Sequence, residues 1–140
     1  AQFVDITSGH GTFTVVLHYG SEKKTVNFYQ SSGTVTHDYG NSSYVWINKT
    51  GGGNFTLNLN NVPSDGANRM ECDVMIKNQG GSGYPTGINI NGTGVDIYWY
   101  NNSQPGMNYN HAIISFIIIH TPNNNEDMWT VFAREHEFGA

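Results

Sequence analysis

The chain has 140 residues, a formal net charge of -5, 12 % charged residues, 13 % aromatic residues and 17 glycines. That length suits a single domain burying roughly two-thirds of its unfolded surface around one core. Its six Lys and Arg residues, of which only Lys23 and Lys24 adjoin, cannot make the basic patch that a phosphate backbone requires, so no nucleic-acid partner is expected.

Strand signals begin at Thr12 to Tyr19, where Phe13, Val15, Leu17 and Tyr19 alternate with Thr12, Thr14, Val16 and His18. A turn at Gly20 to Lys24 follows, then a return strand over Thr25 to Tyr29, so the pair reads as a hairpin. Short strands are predicted at Thr34 to His37 and Tyr44 to Asn48. The triplet Gly51-Gly52-Gly53 is too rich in backbone entropy to sit inside an element and marks a possible internal break in an otherwise single domain spanning residues 1 to 140.

Beyond it, Phe55, Leu57 and Leu59 alternate with Thr56, Asn58 and Asn60. Met70, Cys72, Val74 and Ile76 likewise alternate with Glu71, Asp73, Met75 and Lys77. Both segments read as half-buried antiparallel-type strands. A Gly-rich turn spans Asn78 to Gly83, a short strand runs from Gly87 to Asn91, and Asn91-Gly92 is a hairpin-competent dipeptide. Val95 to Tyr100 places Val95, Ile97 and Trp99 on one face and Asp96, Tyr98 and Tyr100 on the other. After a loop at Asn101 to Asn110 comes the most apolar stretch, His111 to His120, and Met128 to Ala133 closes the pattern.

His111 to His120 differs from the other strands because it does not alternate. Ile113, Ile117 and Ile119 share one face, while Ile114, Phe116 and Ile118 share the opposite one. A strand apolar on both faces needs cover on both, from a second layer or from another subunit, which makes Ile113, Ile117 and Ile119 candidate subunit contacts. The run is too short for a membrane helix, which needs about 20 apolar residues, and no membrane association is expected. No stretch reads as a signal or transit peptide. With no sustained 3.6-residue apolar period anywhere, the predicted fold is all-β, an antiparallel two-layer β-sandwich or jelly roll.

No catalytic, cofactor-binding or metal-binding set emerges. His10, His18, His37, His111, His120 and His136 never fall in an HxH or HExxH spacing. Asn123 to Asp127 offers oxygen ligands without the alternating carboxylates and glycine of a calcium loop, and reads as a solvated turn. Cys72, the single cysteine, lies on an apolar face and reads as a small core residue. There is no GxSxG elbow, and the carboxylates form no motif. The sequons at Asn41, Asn48, Asn54, Asn91 and Asn101 are little more than 18 asparagines would yield by chance in so Ser/Thr-rich a chain. Asp96, Tyr98, Tyr100 and Asn101 combine stacking surface with hydrogen-bonding groups, a face suited either to a sugar ring or to a partner chain.

From Asn54 to Ala133 the order of segments resembles a β-rich terminal module of tail-fibre, appendage and other virion proteins of tailed phages, especially marine and cyanobacterial ones. The matching features are NFTLNL (Asn54 to Leu59), an acidic-to-apolar strand ending at Ile76 before the turn at Gln79 to Gly83, INGTGVDIYWYNNSQP (Ile90 to Pro105), the apolar strand Ile113 to Ile119, and MWTVFA (Met128 to Ala133). The resemblance implies a non-enzymatic virion structural protein exposed on the particle surface, a homo-oligomer with a trimer favoured, other virion proteins as partners, and in some settings a surface glycan as receptor. It implies no catalytic residues and no cofactor.

Overall fold

The computed structural model describes residues 2–8, 11–17, 23–79, 83–105, 110–122 and 128–138. The chain is an all-β sandwich of two mixed sheets. Strands β1 (Gln2–Ser8) and β2 (Gly11–Leu17) pair with each other antiparallel. The next six are β3 (Val26–Ser31), β4 (Val35–Asp38), β5 (Tyr44–Lys49), β6 (Phe55–Asn60), β7 (Asn68–Asn78) and β8 (Pro85–Ile90). They are followed by β9 (Thr93–Val95), β10 (Ile97–Trp99), β11 (His111–His120) and β12 (Trp129–Phe138). The larger sheet has the order β10-β12-β11-β7-β5-β3 and the smaller β4-β6-β8-β9.

From β3 to β8 the chain passes alternately between the two sheets, and each new strand lies parallel to the one before it in its own sheet. Three coils therefore stack side by side, each giving one strand to each layer. Antiparallel pairing dominates only afterwards, where β11 inserts between β7 and β12. The pairing is thus mixed rather than antiparallel throughout. Among the described residues the hairpin expected between Thr12–Tyr19 and Thr25–Tyr29 is not seen: β2 takes β1 as its partner and β3 lies parallel to β5. Alternation identifies which face of a strand is buried but carries no information about its neighbour.

Alternating side chains fill the space between the layers. Val45 and Ile47, Cys72, Val74 and Ile76, and Ala112, Ile114, Phe116 and Ile118 point inward from the six-stranded sheet. Opposite them, Val35, Phe55, Leu57, Leu59, Ile88 and Ile90 come from the four-stranded sheet. Residues on both sides of Gly51–Gly53 share this one cluster, and the triplet forms the corner between β5 and β6. At that corner the fully buried Lys49 donates hydrogen bonds to the carbonyls of Ser32 (3.0 Å) and Gly51 (2.6 Å). Its burial lowers its pKa from the ordinary lysine value. Gly83 packs so closely on the same corner that a Cβ there would stand 1.9 Å from the Gly53 carbonyl oxygen.

Two details fit the sequence expectations. The Asn91-Gly92 dipeptide joins β8 to β9 with positive φ at both residues (50° and 84°), as a tight hairpin of primed type demands. Cys72 is buried, and desolvation, with a smaller contribution from the charge of Asp73, pushes its thiol up to about 12. One predicted strand is split. Val95 pairs with Ile88 in the small sheet, whereas Ile97 pairs with Val131 in the large one, so the chain crosses between layers at Asp96.

A candidate interaction face on the six-stranded sheet

The outer faces of the two sheets have opposite chemistry. On the four-stranded sheet the outward positions are mostly Thr and Asn, with Asp38 at the end of β4, and several bond across the strands. Asn89 Nδ2 donates to Asn58 Oδ1 at 2.8 Å, and Asn58 Nδ2 donates to Thr36 Oγ1 at 3.2 Å. This polar ladder is suited to water.

The outer face of the six-stranded sheet is apolar over much of its width. Among the exposed large hydrophobic residues, Phe28 is 73 % accessible, Tyr98 57 %, Tyr100 56 %, Phe138 49 % and Phe132 44 %, and all lie on this side. Register places the rest. One row runs Phe28, Trp46, Met75, Ile113 and His136 across β3, β5, β7, β11 and β12. A second runs Glu71, Ile117, Phe132 and Tyr98. Ring contacts run along each row, with centroids 6.2 Å apart for Phe28 and Trp46 in the first and 6.1 Å for Tyr98 and Phe132 in the second. Between these two rows lies a polar one of Tyr44, Asp73, Ser115 and Arg134, and the Arg134 guanidinium sits 4.6 Å from the Tyr100 ring centre.

The candidate contact residues Ile113, Ile117 and Ile119 are therefore brought together on this face, half-buried beside their cross-strand neighbours, while the alternate residues of β11 are buried against the other layer. Among the described residues no second layer covers them. Exposed apolar side chains gathered in this way make this face the candidate for an interaction.

The candidates Asp96, Tyr98, Tyr100 and Asn101 do not form one site. Asp96 and Tyr98 border a cleft with Met128 and Trp129. Tyr98 and Tyr100 line a mainly apolar groove of about 490 Å³ with Ile117, Phe132 and Arg134. Tyr100 and Asn101 face a separate polar cleft of about 480 Å³ with Gln104, Arg134, Glu135 and Glu137. The chain turns away at Asn101 and Asn102, both left-handed with φ of 54° and 55°, a conformation that asparagine tolerates better than most residues. Phe28, Trp46, Met75, Phe132, Arg134 and Phe138 were not singled out from the sequence. Their signal lay in apolar and charged residues at the outward positions of strands, which becomes legible only when the inward set is known.

The histidines serve different purposes. His37 and His120 are fully buried, and His111 and His136 lie on the outer face. The Nε2 of His37 donates to the Ser42 carbonyl (2.7 Å), and Nδ1 of His120 donates to the Gly66 carbonyl (2.6 Å) while its ring packs 4.6 Å from that of Trp129. Among the described residues no group of three or more His, Cys, Asp or Glu side chains stands close enough to hold a metal ion. His10, His18 and the segment Asn123 to Asp127 lie outside the described residues. No protein-family model, curated protein or solved structure matches the chain.

Proposed function

We propose that this chain is a virion structural subunit of the fibre, appendage or capsid-decoration kind, working by self-association and display on the particle surface. The observation that carries the reading is the contrast between the two outer faces. A polar Asn/Thr ladder crosses one sheet, and Phe, Tyr, Trp, Ile and Met side chains occupy much of the other on either side of a narrow polar row. Phe, Ile and Met on an open sheet face suit close packing against protein more than recognition of a sugar. The virion class rests on the resemblance of the order of segments from Asn54 to Ala133 to a tailed-phage module. Light scattering and sedimentation of the purified chain test the reading: an oligomer, dissociated by Ile117→Asp, is expected, and a monomer at tens of micromolar contradicts it. Detection of the chain in symmetric copies within purified particles tests its location.

A glycan-binding reading draws on Tyr100 and Asn101 beside Gln104, Glu135 and Glu137, where a ring face, amides and carboxylates border one cleft. A glycan array with Tyr98→Ala and Tyr100→Ala as controls tests it. Absence of hits, or binding unchanged by both substitutions, removes it.

A further inference from the structure

We propose that the occupant of the six-stranded face is a second copy of this chain, related by a rotation axis running parallel to β11, so that Asp73 of one copy meets Arg134 of the next. The proposal rests on the self-association reading and names its geometry.

Inside Val26 at the β3 edge, the polar row reads Tyr44, Asp73, Ser115, Arg134 and then Tyr100, whose ring Arg134 covers. It is an aromatic, an acid, a small residue, a base and an aromatic. Reversed, the row has the same chemistry with the two charges exchanged. Rotation about an axis along β11 performs that reversal, because it lays the β7 flank of one copy on the β12 flank of its neighbour. Acid then meets base, aromatic meets aromatic, and Ser115, Ile113 and Ile117 lie on the axis against their own equivalents. An interface that a patch makes with itself must be self-complementary in this way. Strands of the two packed sheets also run in nearly the same direction, as in aligned sheet packing.

Within one chain the two charges have no such use for each other. Asp73 and Arg134 both sit opposite Ser115, on the strands either side of β11, which separates their backbones by about 9.6 Å. Among the described residues no ion pair joins them. Glu71, the neighbouring acid on β7, is already held by Arg69 at 2.9 Å. Ser115 leaves a shallow trough between the Ile113 and Ile117 rows, so a charge pair formed there lies between Met75 and His136 on one side and Glu71 and Phe132 on the other. The same flank-to-flank contact recurs whether two or three copies share the axis.

The test is a charge-reversal cycle on the full chain, with Asp73→Arg, Arg134→Asp and the double variant followed by sedimentation equilibrium. Circular dichroism and thermal melts check that each variant is folded. Each single reversal sets like charges face to face and is expected to weaken association by on the order of tenfold or more, with the double variant returning close to wild type. An equal mixture of the two single variants re-associates fully in a closed pair and only partly in a three-membered ring, where one contact must always be mismatched; either result supports the axis. A wild-type oligomer indifferent to both reversals, or a double variant as weak as the singles together, overturns the geometry while self-association stands. A wild-type monomer overturns both, and a monomer whose glycan-array binding is lost in Arg134→Asp assigns the face to a sugar.

Discussion

The Tyr29 hydroxyl donates a 2.7 Å hydrogen bond to Nδ1 of His37, joining β3 of one sheet to β4 of the other across the first coil. The rings meet edge to face with centroids 5.7 Å apart. Because Nε2 of His37 gives its proton to the Ser42 carbonyl, Nδ1 must act as the acceptor, and Tyr29 is its donor. Tyr29→Phe keeps the packing and leaves a buried nitrogen without its donor. A loss of about 1–3 kcal/mol is expected from urea unfolding, as a shift of midpoint at constant slope.

The two faces of β11 are expected to respond differently to truncation. Phe116 is fully buried and packs near Trp99, with ring centroids 6.5 Å apart. Phe116→Ala should remove about 3–5 kcal/mol of stability. Ile117, one residue on and half-exposed, should lose less than about 1.5 kcal/mol as Ala when measured at concentrations where the chain is monomeric. The same Ile117→Ala change should weaken association at higher concentration. Equal losses of stability at the two positions would mean that the outer face is covered within the chain itself.

Cys72 gives the fold an alkaline limit. The folded thiol holds its proton up to about 12, against an ordinary value of 9.0, so between these pH values the folded state binds more protons than the unfolded chain. Stability therefore falls as pH rises through that window, by at most about 4 kcal/mol for a shift of this size. Melting temperatures from pH 8 to 11 should drop more steeply for the wild type than for Cys72→Ala, which lacks the titrating group. Parallel profiles would show that the thiol does not contribute. Buried and protonated at neutral pH, Cys72 should also resist alkylation in the folded protein and react on unfolding.

At Gly83 the constraint is space. A methyl group 1.9 Å from the Gly53 carbonyl oxygen can be accommodated only by moving backbone at the corner that Lys49 clamps. Gly83→Ala should cost about 1–3 kcal/mol by chemical denaturation. Gly52, where an added Cβ meets nothing within 4 Å, should accept Ala with little change.

How much of this could be read in the residues differs from one element to the next. The bounds of β11 follow from its apolar run, and its inward and outward sets from the period of two. Val95, Ile97 and Trp99 likewise turn toward the core and Asp96, Tyr98 and Tyr100 away, as their alternation requires. The break at Asp96 was not legible, because the residue faces outward on either side of the crossing and nothing local marks the change of sheet. Nor was the partner of any strand in the coils. Val26 to Ser31 would present the same pattern whether paired to β2 in a hairpin or lying parallel to β5. The candidate face was half legible: Ile113, Ile117 and Ile119 were visible as a second apolar face, whereas the row of Asp73, Ser115 and Arg134 joins residues from three strands.

The sequence by itself determined the all-β class, the faces of the strands, the Asn91-Gly92 turn, the buried Cys72 and a strand apolar on both sides, because each follows from side-chain period and local backbone preference. Tertiary structure alone decided which strands adjoin, that three parallel coils precede the antiparallel closure, and that acid and base flank Ser115. Register is a relation between distant segments, set by how well two inner faces fill a common core, and no single segment contains it.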